Sequence, residues 1–302
     1  MRTLPALGHE ALGVDVVRSP FTQVVGSIAD RAVVDRCMNG IDVILHAATL
    51  HKPHVISHSR QDFVDTNVTG TLNLLEAATA GKVRSFIFTS TTSTFGDALT
   101  PPRGSPAAWI TEDVVPIPKN IYGATKTAAE DLCRLFHRNH GLACLVLRTS
   151  RFFPEGDDDD AQRSAYDDAN LKANEFLNRR VDIEDVVDAH LQALARASAL
   201  GFGKFIVSAT TPFTADDLTE LRHDAGAVLK RRVPGVEAVY AARGWKLPAE
   251  IDRVYVNERA RTVLGWTPRY DFERVLASVR CGDDPRSPLA RVIGSKGYHP
   301  GA

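Results

Sequence analysis

Tyr122 and Lys126 stand four residues apart in Tyr122-Gly123-Ala124-Thr125-Lys126, which opens a helical pattern after a proline-containing loop. That spacing sets both side chains on one helix face, one turn apart. A phenol with a pKa of about 10 is a poor base at neutral pH, but a neighbouring ammonium favours the phenolate. Such a pair can exchange a proton with a substrate hydroxyl during hydride transfer. Taken by itself, the spacing also fits an exposed helix pair. Upstream, Phe86-Ile87-Phe88-Thr89-Ser90-Thr91-Thr92 reads as a buried strand ending in hydroxyls. Strand ends at the top of a doubly wound sheet are where ligands bind. The plain alternative is a capped strand entering a turn.

The elements that must carry these residues alternate. Residues 11–17, 23–28, 42–46, 84–90 and 142–148 read as strands, and 32–38, 62–80 and 122–139 as helices. Near-continuous apolar strands separated by amphipathic helices indicate an α/β, doubly wound parallel sheet. Beyond residue 148 the pattern loosens. Residues 153–170 read as a polar loop containing the run Asp157–Asp160; a helix over 183–197 and a strand over 204–208 follow. Helical stretches over 214–224, 257–264 and 271–279 lead into a tail after Cys281. The expected division is a dinucleotide-binding domain over 1–150, a small mixed C-terminal substrate lobe over 151–282 interleaved with it, and a tail over 283–302.

The composition is that of a soluble globular protein: 302 residues, 44% hydrophobic, 24% charged and a net charge of -1. No global field favours nucleic acid or an anionic membrane. No apolar run approaches the roughly 20 residues of a membrane span. The N-terminal stretch is broken by Pro5, Gly8, His9 and Glu10 and does not read as a signal peptide. Cys37, Cys133, Cys144 and Cys281 have no ligand-like spacing and read as isolated thiols in a reducing cytoplasm.

Phe86–Asp97 (FIFTSTTSTFGD) followed by Asn120–Lys126 (NIYGATK) resembles the extended short-chain dehydrogenase/reductase family, the nucleotide-sugar epimerases and dehydratases. Further matches in order are Val43-Ile44-Leu45-His46-Ala47-Ala48, Asn67-Val68-Thr69-Gly70-Thr71, residues 180–187 (RVDIEDVV) and Leu264-Gly265-Trp266-Thr267-Pro268. The resemblance covers roughly residues 8–280, and several weak motifs in order make a strong signal. It implies an NAD(P)-binding Rossmann fold and an enzyme acting on a nucleotide-sugar-like substrate. Thr91 takes the position that orients the reacting oxygen, Tyr122 the base, and Lys126 the lysine that also holds the nicotinamide ribose. A ketone or aldehyde reductase of the dihydroflavonol-reductase type is the second enzymatic expectation. A non-catalytic or truncated dinucleotide-binding relative is the third.

The resemblance also places the cofactor contacts. Asp15, at the end of the strand over 11–17, falls where a carboxylate meets the adenosine ribose; an acid there favours NAD over NADP, although Arg18 is nearby. Ser27 and Ile28 fall near the adenine, and Ala47, Ala48 and Thr49 along the pyrophosphate and ribose. Thr89 and Ser150, at two strand ends, complete the expected set. The G-x-x-G-x-x-G turn that lets backbone amides approach the pyrophosphate is absent. Leu7-Gly8-His9-Glu10 resembles the end of the family's first helix, so a strand, the glycine turn and most of a helix are expected to be missing, through a mis-assigned start, a cut chain or a truncated product. Weak NAD binding by the chain as written is expected.

On the substrate side, Thr91, Thr92 and Arg151 are candidates. Arg151 stands where the family commonly has asparagine; it can grip a phosphate or carboxylate, or pair with the Asp157–Asp160 run. His51, His54 and His58 fall in a loop without metal-ligand spacing, so no metal is expected. A homodimer packing the helices over 62–80 and 122–139 follows from the resemblance, with no nucleic-acid or membrane partner.

Overall fold

The computed structural model describes residues 1–157 and 159–294. Short strands β1 (Val14–Asp15) and β2 (Val24–Val25) come first, followed by α1 (Arg31–Cys37) and β3 (Val43–His46). A near-continuous helical run comprises α2 (Arg60–Phe63), a π-helical segment (Val64–Thr69) and α3 (Gly70–Ala80). Then come β4 (Ser85–Thr91), β5 (Ala108–Ile110), α4 (Ile121–His140), β6 (Ala143–Thr149), α5 (Asp160–Ala165) and α6 (Asp168–Glu175). After them lie α7 (Ile183–Leu200), β7 (Phe202–Val207), α8 (Leu218–Leu221), α9 (Ala225–Arg232) and α10 (Val236–Ala242). Strand β8 (Arg253–Tyr255), α11 (Phe272–Cys281) and α12 (Pro288–Ile293) complete the order.

The class is α/β with parallel sheets. The main sheet runs β3-β4-β6-β7, with β3 and β4 parallel from Val43 opposite Ser85 to His46 opposite Phe88. Every residue of β6 is buried, as expected of a strand covered on both faces. One expectation fails: the strands over 11–17 and 23–28 do not join this sheet. β1 and β2 shrink to two residues each and pair in parallel with one another. Their outward residues Asp15 and Val25 are exposed, and two residues per strand supply too few ladder bonds to extend a sheet.

Two other expectations need correction. Residues 153–170 are not all loop, since α5 and the start of α6 lie there; Asp159 caps α5 by accepting from the amide of Ala161. Asp158 lies outside the described residues, as do residues 295–302 of the tail. Cys37, Cys133, Cys144 and Cys281 are free thiols, and burial pushes the Cys133 thiol up. The segment holding His51, His54 and His58 contains a 3₁₀ helix over Lys52–Ile56.

Contacts divide the chain into two compact units. The first comprises residues 1–90, 120–146 and 194–203, and the second 91–119, 147–193 and 204–302. The first is built on Leu75, Phe86, Phe88, Ala129, Cys133, Phe136 and Val146. The second packs Leu177, Leu221, Val228, Leu229, Val236, Val254, Phe272 and Leu276.

Candidate active site

Helix α4 starts where it does because the Asn120 side chain accepts from the amide of Gly123 at 3.0 Å, an N-cap that satisfies one of the first-turn donors. Gly141 in the left-handed region ends it. Tyr122 therefore lies in the first turn and Lys126 one turn on, and both are buried. Lys126 is 1% exposed; its Nζ donates to the Thr89 carbonyl at 2.7 Å and lies 3.9 Å from the centroid of the Phe88 ring. An aromatic face attracts a cation, yet burial dominates and lowers the Lys126 pKa to about 7. The neighbouring carboxylate of Glu130 works in the opposite direction.

Behind the loop that follows β3, a residue not among the expected contacts organises the first unit. Asn67, in the π-helical segment, uses its whole amide: Oδ1 accepts from Thr49 Oγ1 and the Leu50 amide, while Nδ2 donates to the Leu50 carbonyl and Thr125 Oγ1. Thr49 is thus held, while Ala47 and Ala48 are exposed beside it. Thr71 donates from Oγ1 to the Asn67 carbonyl at 2.7 Å, so its hydroxyl accepts from His46 Nε2 at 2.9 Å. That assigns the proton of neutral His46 to Nε2 and leaves Nδ1 a bare acceptor with no hydrogen-bond partner. Burial, reinforced by the Lys126 charge, pushes the His46 pKa down to about 3.

Asp15 ends β1 exposed, its carboxylate accepting from the Val17 amide at 2.9 Å. Ser27 accepts from the Ala29 amide, and Ile28 is buried. A Cβ on Gly70 would come within 2.7 Å of the Ile28 side chain, so the close approach of α3 to Ile28 requires glycine.

In the second unit, Thr91 and Thr92 are buried. Thr91 Oγ1 accepts from the Ser93 amide at 3.1 Å and caps the turn after β4. Gly96, with φ +54°, finishes that turn; a Cβ there would collide with the Ile117 carbonyl. The Ser150 hydroxyl is buried without a hydrogen-bond partner. Arg151 lies among acids, 3.3 Å from Asp157 and 3.8 Å from Glu175, and these acids also hold Arg179. His51, His54 and His58 stack edge-on at 4.9 and 5.1 Å between ring centroids, and among the described residues no group of three or more His, Cys, Asp or Glu is placed to hold a metal.

Within the first unit, Lys126 and Asp15 have the chemistry that ribose hydroxyls of a nicotinamide dinucleotide would require. One of the three Lys126 donors is taken by Thr89, leaving others for ribose hydroxyls. Asp15 supplies an exposed carboxylate at a strand end. The described residues contain no glycine-rich turn for the pyrophosphate.

The family model for the NAD dependent epimerase/dehydratase family matches residues 1–207. The chain belongs to that family. A UDP-glucose 4-epimerase of Rhizobium leguminosarum bv. trifolii is 27% identical over 281 residues, covering 84% of this chain and 81% of the relative. A dTDP-glucose 4,6-dehydratase of Streptomyces niveus is 38% identical over 133 residues, but that match spans 43% of this chain and little more than a third, 37%, of the relative's length. Among solved structures, a short-chain dehydrogenase/reductase superfamily protein of Agrobacterium tumefaciens with bound NAD has a TM-score of 0.64 at 22% identity, covering 97% of this chain and 94% of the other. That likeness shows the Rossmann-type fold. Members of this epimerase/dehydratase family are enzymes, and these two sequence relatives are by name a nucleotide-sugar epimerase and a nucleotide-sugar dehydratase.

Proposed function

We propose that this chain epimerises or dehydrates a nucleotide sugar with NAD as cofactor, Tyr122 exchanging the proton, Lys126 charging the site and Thr91 orienting the reacting oxygen. One observation carries the reading: the Lys126 ammonium is wholly buried one turn after buried Tyr122, with donors left over. A buried cation favours the phenolate form of a neighbouring phenol, which makes Tyr122 an acceptor for a substrate hydroxyl proton. The bound cofactor would supply the hydride acceptor. Lys126, Thr89 and Ser150 would hold its nicotinamide half; Thr49, Ala47, Ala48, Ser27, Ile28 and Asp15 would follow it to the adenosine, the acid at Asp15 favouring NAD over NADP. Thr92 and Arg151 belong to the substrate side of the same reading, with 1–150 as the cofactor domain and 151–282 as the substrate lobe. Ala124, Ala128 and Leu135 are exposed on α4, which suits a homodimer built on this helix and α3.

The test is turnover of UDP- and dTDP-sugars by the wild type and Tyr122→Phe. Epimer or 4-keto product without net reduction of NAD is expected from the wild type, and loss of at least a hundredfold from the variant. A variant at full turnover removes Tyr122 from the chemistry. Stoichiometric consumption of NADH or NADPH with a simple ketone would instead identify a reductase.

A further inference from the structure

Two adjacent residues near the end of β4 each hold a buried group of opposite charge from α4. The Thr89 carbonyl takes the Lys126 ammonium at 2.7 Å, and the Ser90 hydroxyl donates to Glu130 Oε1 at 2.7 Å. Glu130 follows Lys126 by one helical turn, which sets the two on one face of α4, and its exposure is 0%. We propose that Glu130 is a positioning residue that keeps Lys126 an ammonium inside the site, with Ser90 fixing the carboxylate for that task. The proposal rests on the role given to Lys126 above.

Burying a cation without compensation is costly enough that the group sheds its proton instead. The groups facing Lys126 differ in what they offer. His46 on β3 stays neutral, its pKa near 3, and offers no negative charge. Cys133 on α4 is a thiol pushed up by burial, so it too is uncharged at neutral pH. Phe88 presents a ring face, and Thr89 a dipole. Tyr122, one turn before, is the group whose proton Lys126 is to govern. Glu130 is therefore the carboxylate that favours the ammonium from within the same packed layer.

The experiment reads Lys126 directly. Protein labelled with carbon-13 at the lysine ε-carbons is titrated by NMR, with Lys126→Arg assigning the resonance. The wild-type midpoint is expected near 7, and E130Q is expected to lower it by at least one pH unit, so that the ammonium fraction at pH 7 falls from about half to about a tenth. Ser90→Ala is expected to shift it less, in the same direction. An unchanged or raised midpoint in E130Q overturns the proposal. Circular dichroism checks folding; if E130Q does not fold, Ser90→Ala decides, with a lowered midpoint expected and an unchanged or raised one overturning the proposal. A lowered midpoint with full turnover upholds the assignment to Glu130 and counts against the catalytic role of Lys126. An unchanged midpoint with turnover lost overturns the assignment and leaves that role standing.

Discussion

Replacing Lys126 by Met is expected to make the protein more stable at neutral pH while removing its activity. Burial takes the Lys126 pKa from its ordinary 10.5 to about 7. At about 1.4 kcal/mol per pH unit, holding the proton there costs the folded state about 5 kcal/mol well below pH 7 and about 4 kcal/mol at pH 7. Methionine fills much the same volume without the charge. It gives up the bond to Thr89 and the cation's contact with Phe88, together about 2 kcal/mol, so the net gain at pH 7 is about 2 kcal/mol. The sign with pH follows from the direction of the shift. Because the folded pKa lies below the unfolded one, the unfolded chain holds the extra proton between about pH 7 and 10.5, and wild-type stability from this group rises through that window. The advantage of Lys126→Met should therefore shrink to about zero by pH 9. Urea unfolding of both proteins at pH 7, 8 and 9 tests this. Far-UV circular dichroism is the proper probe, since Trp109, Trp245 and Trp266 all lie in the second unit and their fluorescence would miss Lys126. A variant less stable at pH 7, or an advantage that does not change with pH, refutes the reasoning.

Asn67→Ala removes four hydrogen bonds at about 1 kcal/mol each, so a loss of about 2–4 kcal/mol is expected, with faster hydrogen exchange at the Leu50 amide. In Asp185→Ala, the amides of Arg269 and Tyr270, both bonded to the Asp185 carboxylate at 2.9 Å, lose their acceptor, at about 2–4 kcal/mol in urea unfolding. Burial raises the Asp185 pKa to about 6, so its stabilising contribution is largest below about pH 4 and falls as pH rises to 6; the variant should lack that decline. Gly96→Ala should cost more than about 2 kcal/mol, read by tryptophan fluorescence in the second unit, because φ is positive and the Ile117 carbonyl occupies the space of a Cβ.

Spacing made the Tyr122–Lys126 face legible, since a helix turns one period-four pair into neighbours. The same rule reaches Glu130, the next period-four position after Lys126, but a glutamate in a helix ordinarily faces solvent, and its burial follows from β4 packing over it. The Thr89 contact to Lys126 was not legible, because it runs through a backbone carbonyl that carries no residue-type signal. Asn67 was visible as part of a motif, yet its task depends on Leu50, Thr49 and Thr125 converging from other segments. Strands over 11–17 and 23–28 were overextended because apolar residues such as Val16 and Val25, which suggest burial by type, are exposed. Helices α9 and α10 and strands β5 and β8 carry little periodic signal, being short and set among glycine, proline and basic residues.

The saturated amide of Asn67 bears on local unfolding. It lies 17 residues from Leu50 and 58 from Thr125, so the turn after β3 borrows its geometry from a side chain delivered by a docked helix. The shapes of three stretches of chain are thus tied to one side chain, and partial unfolding of any one should release the other two.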